Sequence, residues 1–137
     1  MTSEERRGFL LDRPRTAKLA TVRRDGRPHV VPIWFDLDGG VVVFTTGADT
    51  VKGRAIARDG RVSLCVDDEA PPFAFVTIEG EAHSDPDRGE LLRWATRIGG
   101  RYMGADRAEE YGRNAVEGEL LVRVHPTRVV TRAEIAA

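Results

Sequence analysis

The sequence predicts a mainly β fold: a small antiparallel barrel of about six strands, with helices packed outside it. Three observations carry this. Strand-length runs are separated by hairpin signals, Asp25-Gly26 and Gly39-Gly40. Strands and helices do not alternate, so there is no βαβ repetition and no parallel sheet to expect. The runs around Val31 and Val42 are apolar at successive positions, which suits a barrel wall covered on both sides.

Each element follows from its local chemistry. Residues 3–12, SEERRGFLLD, suggest a short helix with Ser3 as cap, Glu4 and Glu5 in its first turn, and Phe9 and Leu10 facing the body. TAKLATVRR, residues 16–24, reads as the first strand and His29–Phe35 as the second. DLDGG is the next turn and Val41–Thr46 the third strand, so the three form a meander. Thr50 is the expected N-cap of a helix over VKGRAIAR, with Gly60 as its C-cap. RVSLCVDD and FAFVTIEGEAHS are the fourth and fifth strands, joined by the turn EAPPF. Asp85-Pro86 has the form of a helix start. Leu91, Trp94, Ala95 and Ile98 then recur at helical spacing, and Gly99-Gly100 should end that helix. A second helical piece is expected over Ala105–Arg113. The last strand is Glu119–His125, stopped or kinked at Pro126, and RVVTRAEI extends it.

Composition bounds the function. Residues 1–137 fit one domain, 41% hydrophobic and 31% charged. A net charge of -1 supplies no broad basic field for nucleic acid or an anionic membrane. No apolar run approaches the roughly 18 residues of a membrane span, and the first residues lack a signal-peptide apolar region, so a cytoplasmic location is the expectation. The single cysteine excludes an internal disulfide; within RVSLCV, Cys65 reads as a buried small hydrophobe. His29, His83 and His125 are scattered without metal spacing, so no metal site is expected.

The stretch Pro28–Asp59 holds the candidate site. Pro32 interrupts the second strand, either as an edge kink or where the strand leaves its neighbour and frees backbone groups for a planar ligand. Trp34 follows it. The start of the helix at Thr50 offers free N–H groups and a partial positive charge, with Lys52 and Arg54 as cations for phosphate. Gly53 removes a side chain there, and Thr45, Thr46 and Thr50 add hydroxyls. No nucleophile motif, Walker loop or Gly-x-Gly-x-x-Gly run is present.

Three segments together, ATVRRDGRPHVVPIWFDLDGG, VVVFTTGADTVKGRAIARDGRVSLCVDD and VTIEGEAH before a helix, resemble the pyridoxamine 5'-phosphate oxidase type of flavin-binding split barrel. More narrowly, the chain is similar to the actinobacterial deazaflavin-dependent reductases, which use coenzyme F420. The resemblance implies a six-stranded antiparallel split β-barrel and a homodimer with cofactor sites at its interface. It places the cofactor ring against Val31, Pro32, Ile33 and Trp34. The phosphate falls by Thr46, Thr50, Lys52, Gly53 and Arg54, and Trp94 lies toward the partner's site. The C-terminus HPTRVVTRAEIAA lacks the Arg-Leu-x-Pro-type motif of true pyridoxamine phosphate oxidases. The implied activity is hydride transfer from reduced F420 to a conjugated small molecule, with a proton from solvent, Tyr102 or Tyr111. The alternatives are an FMN-dependent oxidase or reductase, or a non-catalytic flavin, deazaflavin or haem binder.

Overall fold

The computed structural model describes all 137 residues. Helix α1 (Ser3–Leu11) precedes strands β1 (Ala17–Val22), β2 (Pro28–Ile33), β3 (Asp36–Asp38) and β4 (Val41–Gly47). Helix α2 (Val51–Arg58) leads to β5 (Arg61–Asp68) and β6 (Ala74–Asp85). Helix α3 (Arg88–Met103), a 3₁₀ turn (Ala105–Arg107), α4 (Ala108–Ala115) and β7 (Glu119–Arg132) complete the chain. The seven strands form one antiparallel sheet in the order β2-β1-β5-β6-β7-β4-β3.

That order corrects the expected meander. β1 and β2 form the predicted hairpin, with Ala17 opposite Ile33 and Val22 opposite Pro28. β2, however, does not pair with β4; DLD forms a short seventh strand that pairs with it instead. β2 and β3 are therefore the two edges of the sheet, yet only Trp34 and Phe35 separate them in sequence. Two residues reach about 7 Å when extended. The sheet must curl until its edges meet, and it closes as a barrel without a ladder at the seam. Pro32 lies on one of those edges, where its missing N–H is tolerated.

The barrel is filled from its inner faces. Leu19, Ile33, Phe44, Leu64, Val76, Ile78, Val122 and Val124 belong to one core cluster with Leu10 of α1 and Ile56 of α2. β4 is apolar on both sides, as expected: Val42 and Phe44 point in, while Val43 joins Leu91, Trp94, Ala95, Ala115 and Leu121 beneath α3 and α4. β2 is not covered on both sides. Pro28, Val30 and Pro32 face outward, and Val30 is 63% exposed. Cys65 is half-buried on an outer face, because the period of two sends Leu64 and Val66 inward.

Several ends move from their expected places for local reasons. Thr2, not Ser3, caps α1, in a reciprocal capping box with Glu5. Thr50 caps α2 as expected, but the C-cap is Asp59; Gly60 is required because a β-carbon there would strike the carbonyl of Ala82. Asp87 caps α3, since β6 persists to Asp85. α3 continues past Gly99-Gly100 to Gly104, whose φ of 103° ends it. β7 passes Pro126 because a register shift at Glu79/Gly80 accommodates the proline.

Gly99 is needed for packing: a β-carbon there would collide with Cβ of Tyr111 on α4. Gly99→Ala should therefore push α4 off α3 and cost about 1–3 kcal/mol. Thermal unfolding measured against the parent should show a clear fall in Tm, and an unchanged Tm would mean that the helix pair yields freely.

Candidate active site

The link between β2 and β3 is held by the last turn of α3. The Tyr102 ring stacks on Trp34 with centroids 5.1 Å apart and planes 4° from parallel. Its hydroxyl accepts from the Phe35 N–H at 3.2 Å and donates to the Arg15 carbonyl at 2.6 Å. Arg101 donates to the carbonyls of Phe35 at 2.8 Å and Leu10 at 2.7 Å. The seam therefore has both backbone polar groups of Phe35 satisfied by side chains instead of by a strand. Burial raises the Tyr102 pKa above its ordinary value near 10. Tyr102 is thus a fastener and not a ready proton donor.

This arrangement leaves a cleft of about 290 Å³ between the outer face of β4–β7 and the α3–α4 pair. Pro32, Ile33 and Trp34 enter it from the β2 end, and Thr45, Lys52 and Glu119 from β4, α2 and β7. Ala95, Ile98, Gly99, Tyr111 and Ala115 form the helical wall. The Tyr111 ring meets Trp34 at 5.5 Å with a 49° tilt. Thr45 donates to Glu119 at 3.1 Å, whereas Lys52 has no carboxylate partner.

Beside the cleft, the turn before α2 is tied together by hydroxyls. Thr50 Oγ1 accepts from the Gly53 N–H at 3.0 Å and donates to the Gly47 carbonyl at 2.8 Å. Thr46 Oγ1 lies 3.0 Å from Thr50 Oγ1 and is buried. A β-carbon at Gly53 would strike the Gly47 carbonyl, so the glycine lets this turn close. The first two helical amides, of Val51 and Lys52, have no partner within the helix.

Of the residues expected at the site, Pro32, Ile33, Trp34, Thr45 and Lys52 converge on the cleft. Thr46, Thr50 and Gly53 shape the adjoining turn. Three lie elsewhere. Val31 packs toward the barrel core. Arg54 faces a separate hollow with Arg23, Arg24 and Arg58, because two residues along a helix reverse the side presented. Trp94 is 1% exposed beneath the rings' flanking cations Arg93 and Arg97, within the second core cluster. Sequence reasoning missed Glu119 and the small residues of the helical wall; Ala95 and Gly99, four apart, were their signal.

The fold and cleft have known counterparts. A family model described as pyridoxamine 5'-phosphate oxidase matches residues 2–133. The chain belongs to that family. Its seven-strand sheet is this family's split barrel, one strand more than expected because β3 is resolved separately. A 5a,11a-dehydrotetracycline/5a,11a-dehydrooxytetracycline reductase of Streptomyces rimosus subsp. rimosus is 32% identical over 124 residues, 83% of this chain and 71% of the relative. A conserved hypothetical protein of Mycobacterium tuberculosis superposes with a TM-score of 0.88 at 26% identity, covering 98% of this chain and 86% of that one. A solved F420 reductase gives 0.68 at 28% identity, covering 90% and 94%. Membership places the chain in a family of flavin- and deazaflavin-binding proteins, and the relatives named here for an activity are reductases. No helix is long and apolar enough to cross a membrane.

The Tyr102 fastener has two measurable consequences. Tyr102→Phe leaves a buried N–H and a carbonyl unpaired and should cost about 1–3 kcal/mol in denaturant unfolding. The raised pKa means that the neutral phenol is favoured in the fold. Its contribution is complete below the unfolded value near 10 and is lost as pH rises through the higher native value. In Tyr111→Phe, whose only tyrosine is Tyr102, ultraviolet titration should show phenolate forming above pH 10; ionisation at the ordinary value would contradict the burial.

Proposed function

We propose that the protein is an F420-dependent reductase that passes a hydride to a conjugated small molecule. The observation that carries this reading is the cleft itself: an aromatic wall at Trp34 and Tyr111, an exposed strand edge at Pro32, and an unpaired cation, Lys52, at the start of α2. These residues fit a planar ring bearing an anionic tail. Pro32, Ile33 and Trp34 offer a flat surface, and Lys52 with the free amides of Val51 and Lys52 suits a phosphate. The 32% identity to a dehydrotetracycline reductase and the likeness to a solved F420 reductase support the deazaflavin over FMN.

When bound, reduced F420 supplies the hydride; the chain's residues orient the reactants and exclude water. Tyr111 lines the cleft with a hydroxyl that makes no hydrogen bond within the protein, so it is the side chain best placed to deliver a proton to the acceptor. The absence of a nucleophile motif agrees with cofactor-borne chemistry.

The second part of the proposal is a homodimer. The outer face of β2-β1-β5-β6 has no helix over it, and it carries Val30, Val22, Ala20 and the half-buried Cys65. This face adjoins Pro32, so a second copy on it would complete the cleft's open side. Light scattering should give twice the 15.1 kDa chain mass; a monomer at micromolar concentration would rule the dimer out.

Titration with oxidised F420 and with FMN, followed by a turnover assay with reduced F420 and conjugated acceptors, tests the reading. The deazaflavin should bind more tightly, and the protein should accelerate its oxidation over the protein-free rate. Lys52→Ala should weaken deazaflavin binding roughly ten- to a hundredfold, through loss of one charge-assisted contact. Arg54→Ala should have the smaller effect. Tight FMN binding without F420 binding would overturn the cofactor assignment, and binding without turnover would make the protein a carrier.

A further inference from the structure

The cleft holds two charges that the proposed cofactor contacts do not both use. Lys52 suits the phosphate. Glu119 is of the opposite sign and lies in the same lining. It is half-buried at the start of β7, on the outer face of the sheet, where the register sets it opposite Gly47. One carboxylate oxygen, Oε1, accepts from Thr45 at 3.1 Å, and no lysine or arginine pairs with the group. A carboxylate beside a phosphate site is unfavourable to anions, and a chain needing only an anion site gains nothing from it. Trp34, Tyr111, Ile98, Ala95 and Ala115 line the same cleft, so a ligand seated against them reduces the water around the carboxylate and strengthens a charge pair made there.

We infer that Glu119 is a specificity-determining residue that selects acceptors carrying a protonated amine on a planar conjugated frame. The inference rests on the reductase reading and names the substrate class for it. Thr45 fixes the carboxylate and leaves acceptor capacity free for an N–H⁺ donor. The apolar and aromatic wall takes the frame, and the fixed carboxylate sets which end of the molecule enters first. A neutral acceptor of the same shape leaves the carboxylate partly desolvated without an ionic partner, and an acidic one meets a like charge. Discrimination therefore arises both from the ion pair gained and from the repulsion of the wrong ligand.

Matched probes separate charge from shape. Calorimetric titration of the protein, alone and saturated with oxidised F420, with 9-aminoacridine and with acridine-9-carboxylate should show the cation preferred by about tenfold or more. Glu119→Gln keeps the acceptor for Thr45 and loses the charge; it should abolish the preference. Glu119→Asp should retain much of it. A merely structural Glu119 would lower stability in circular dichroism melts without changing the ratio of the two affinities. Equal affinity for both probes in the parent, preference for the carboxylate, no binding of either, or a preference that survives Glu119→Gln in a folded variant would overturn the inference. The titration on protein without cofactor stands apart from the F420 assignment: failure of F420 to bind counts against the reductase reading, and loss of charge preference counts against Glu119 alone.

Discussion

The architecture depends on a two-residue link. Trp34 and Phe35 join β2 to β3, which are the opposite edges of one sheet. So short a tether forces the sheet to close, while Pro32 and the change of direction at Trp34 keep the closing strands from pairing. A closed barrel with an unzipped seam leaves backbone groups in want of partners. Here they are met by Tyr102 and Arg101, whose side chains come from a helix more than sixty residues further along the chain. Arg101 also lies over the rings of Phe35 and Tyr102, at 4.9 and 5.3 Å, and reaches the end of α1. One turn of helix thereby fixes the seam, the first helix and the orientation of Trp34.

The cleft is a by-product of that fastening. Once α3 is anchored at the seam, it must cross the outer face of β4 and β7, which is apolar there and buries Trp94, Leu91 and Leu121. Gly99 and Gly112 let α4 lie close against α3, and the helical wall stays thin where it faces Trp34. The charges follow a similar logic. Outside the cleft some arginines are matched to acids, as Arg123 is to Asp38 and Asp85 at 2.8 and 3.1 Å, while Arg23, Arg24, Arg54 and Arg58 gather in a hollow of their own. Within the cleft, Lys52 and Glu119 are left without ionic partners, so the unspent electrostatic capacity of this region faces the cavity.

Much of this was legible from residue patterns. The Asp25-Gly26 signal placed the β1–β2 hairpin, strand-length runs placed β5 and β6, and helical spacing from Leu91 to Ile98 found α3. Pro32, Trp34 and Lys52 were recognisable because each breaks or decorates a regular pattern. What escaped were long-range consequences. The DLD strand is too short to carry a period, and its pairing follows from closure. Gly60 and Gly99 resemble helix stops, yet each is a point of close approach to Ala82 or Tyr111 that only the packed structure reveals. Arg54 and Lys52 look alike in sequence, and the helical rotation between them sends only one to the cleft. Glu119 gives no local signal; its place depends on the register of β7 against β4.

A crystal structure of the protein with oxidised F420 bound tests the account most directly. The account predicts the deazaflavin ring against Pro32, Ile33 and Trp34, its phosphate within hydrogen-bond distance of Lys52 and the first amides of α2, and Tyr102 still bridging Phe35 and Arg15. A ring lodged in another hollow, such as the crevice between α1 and β7, or a phosphate held by the Arg23, Arg24 and Arg58 group without Lys52, would contradict it.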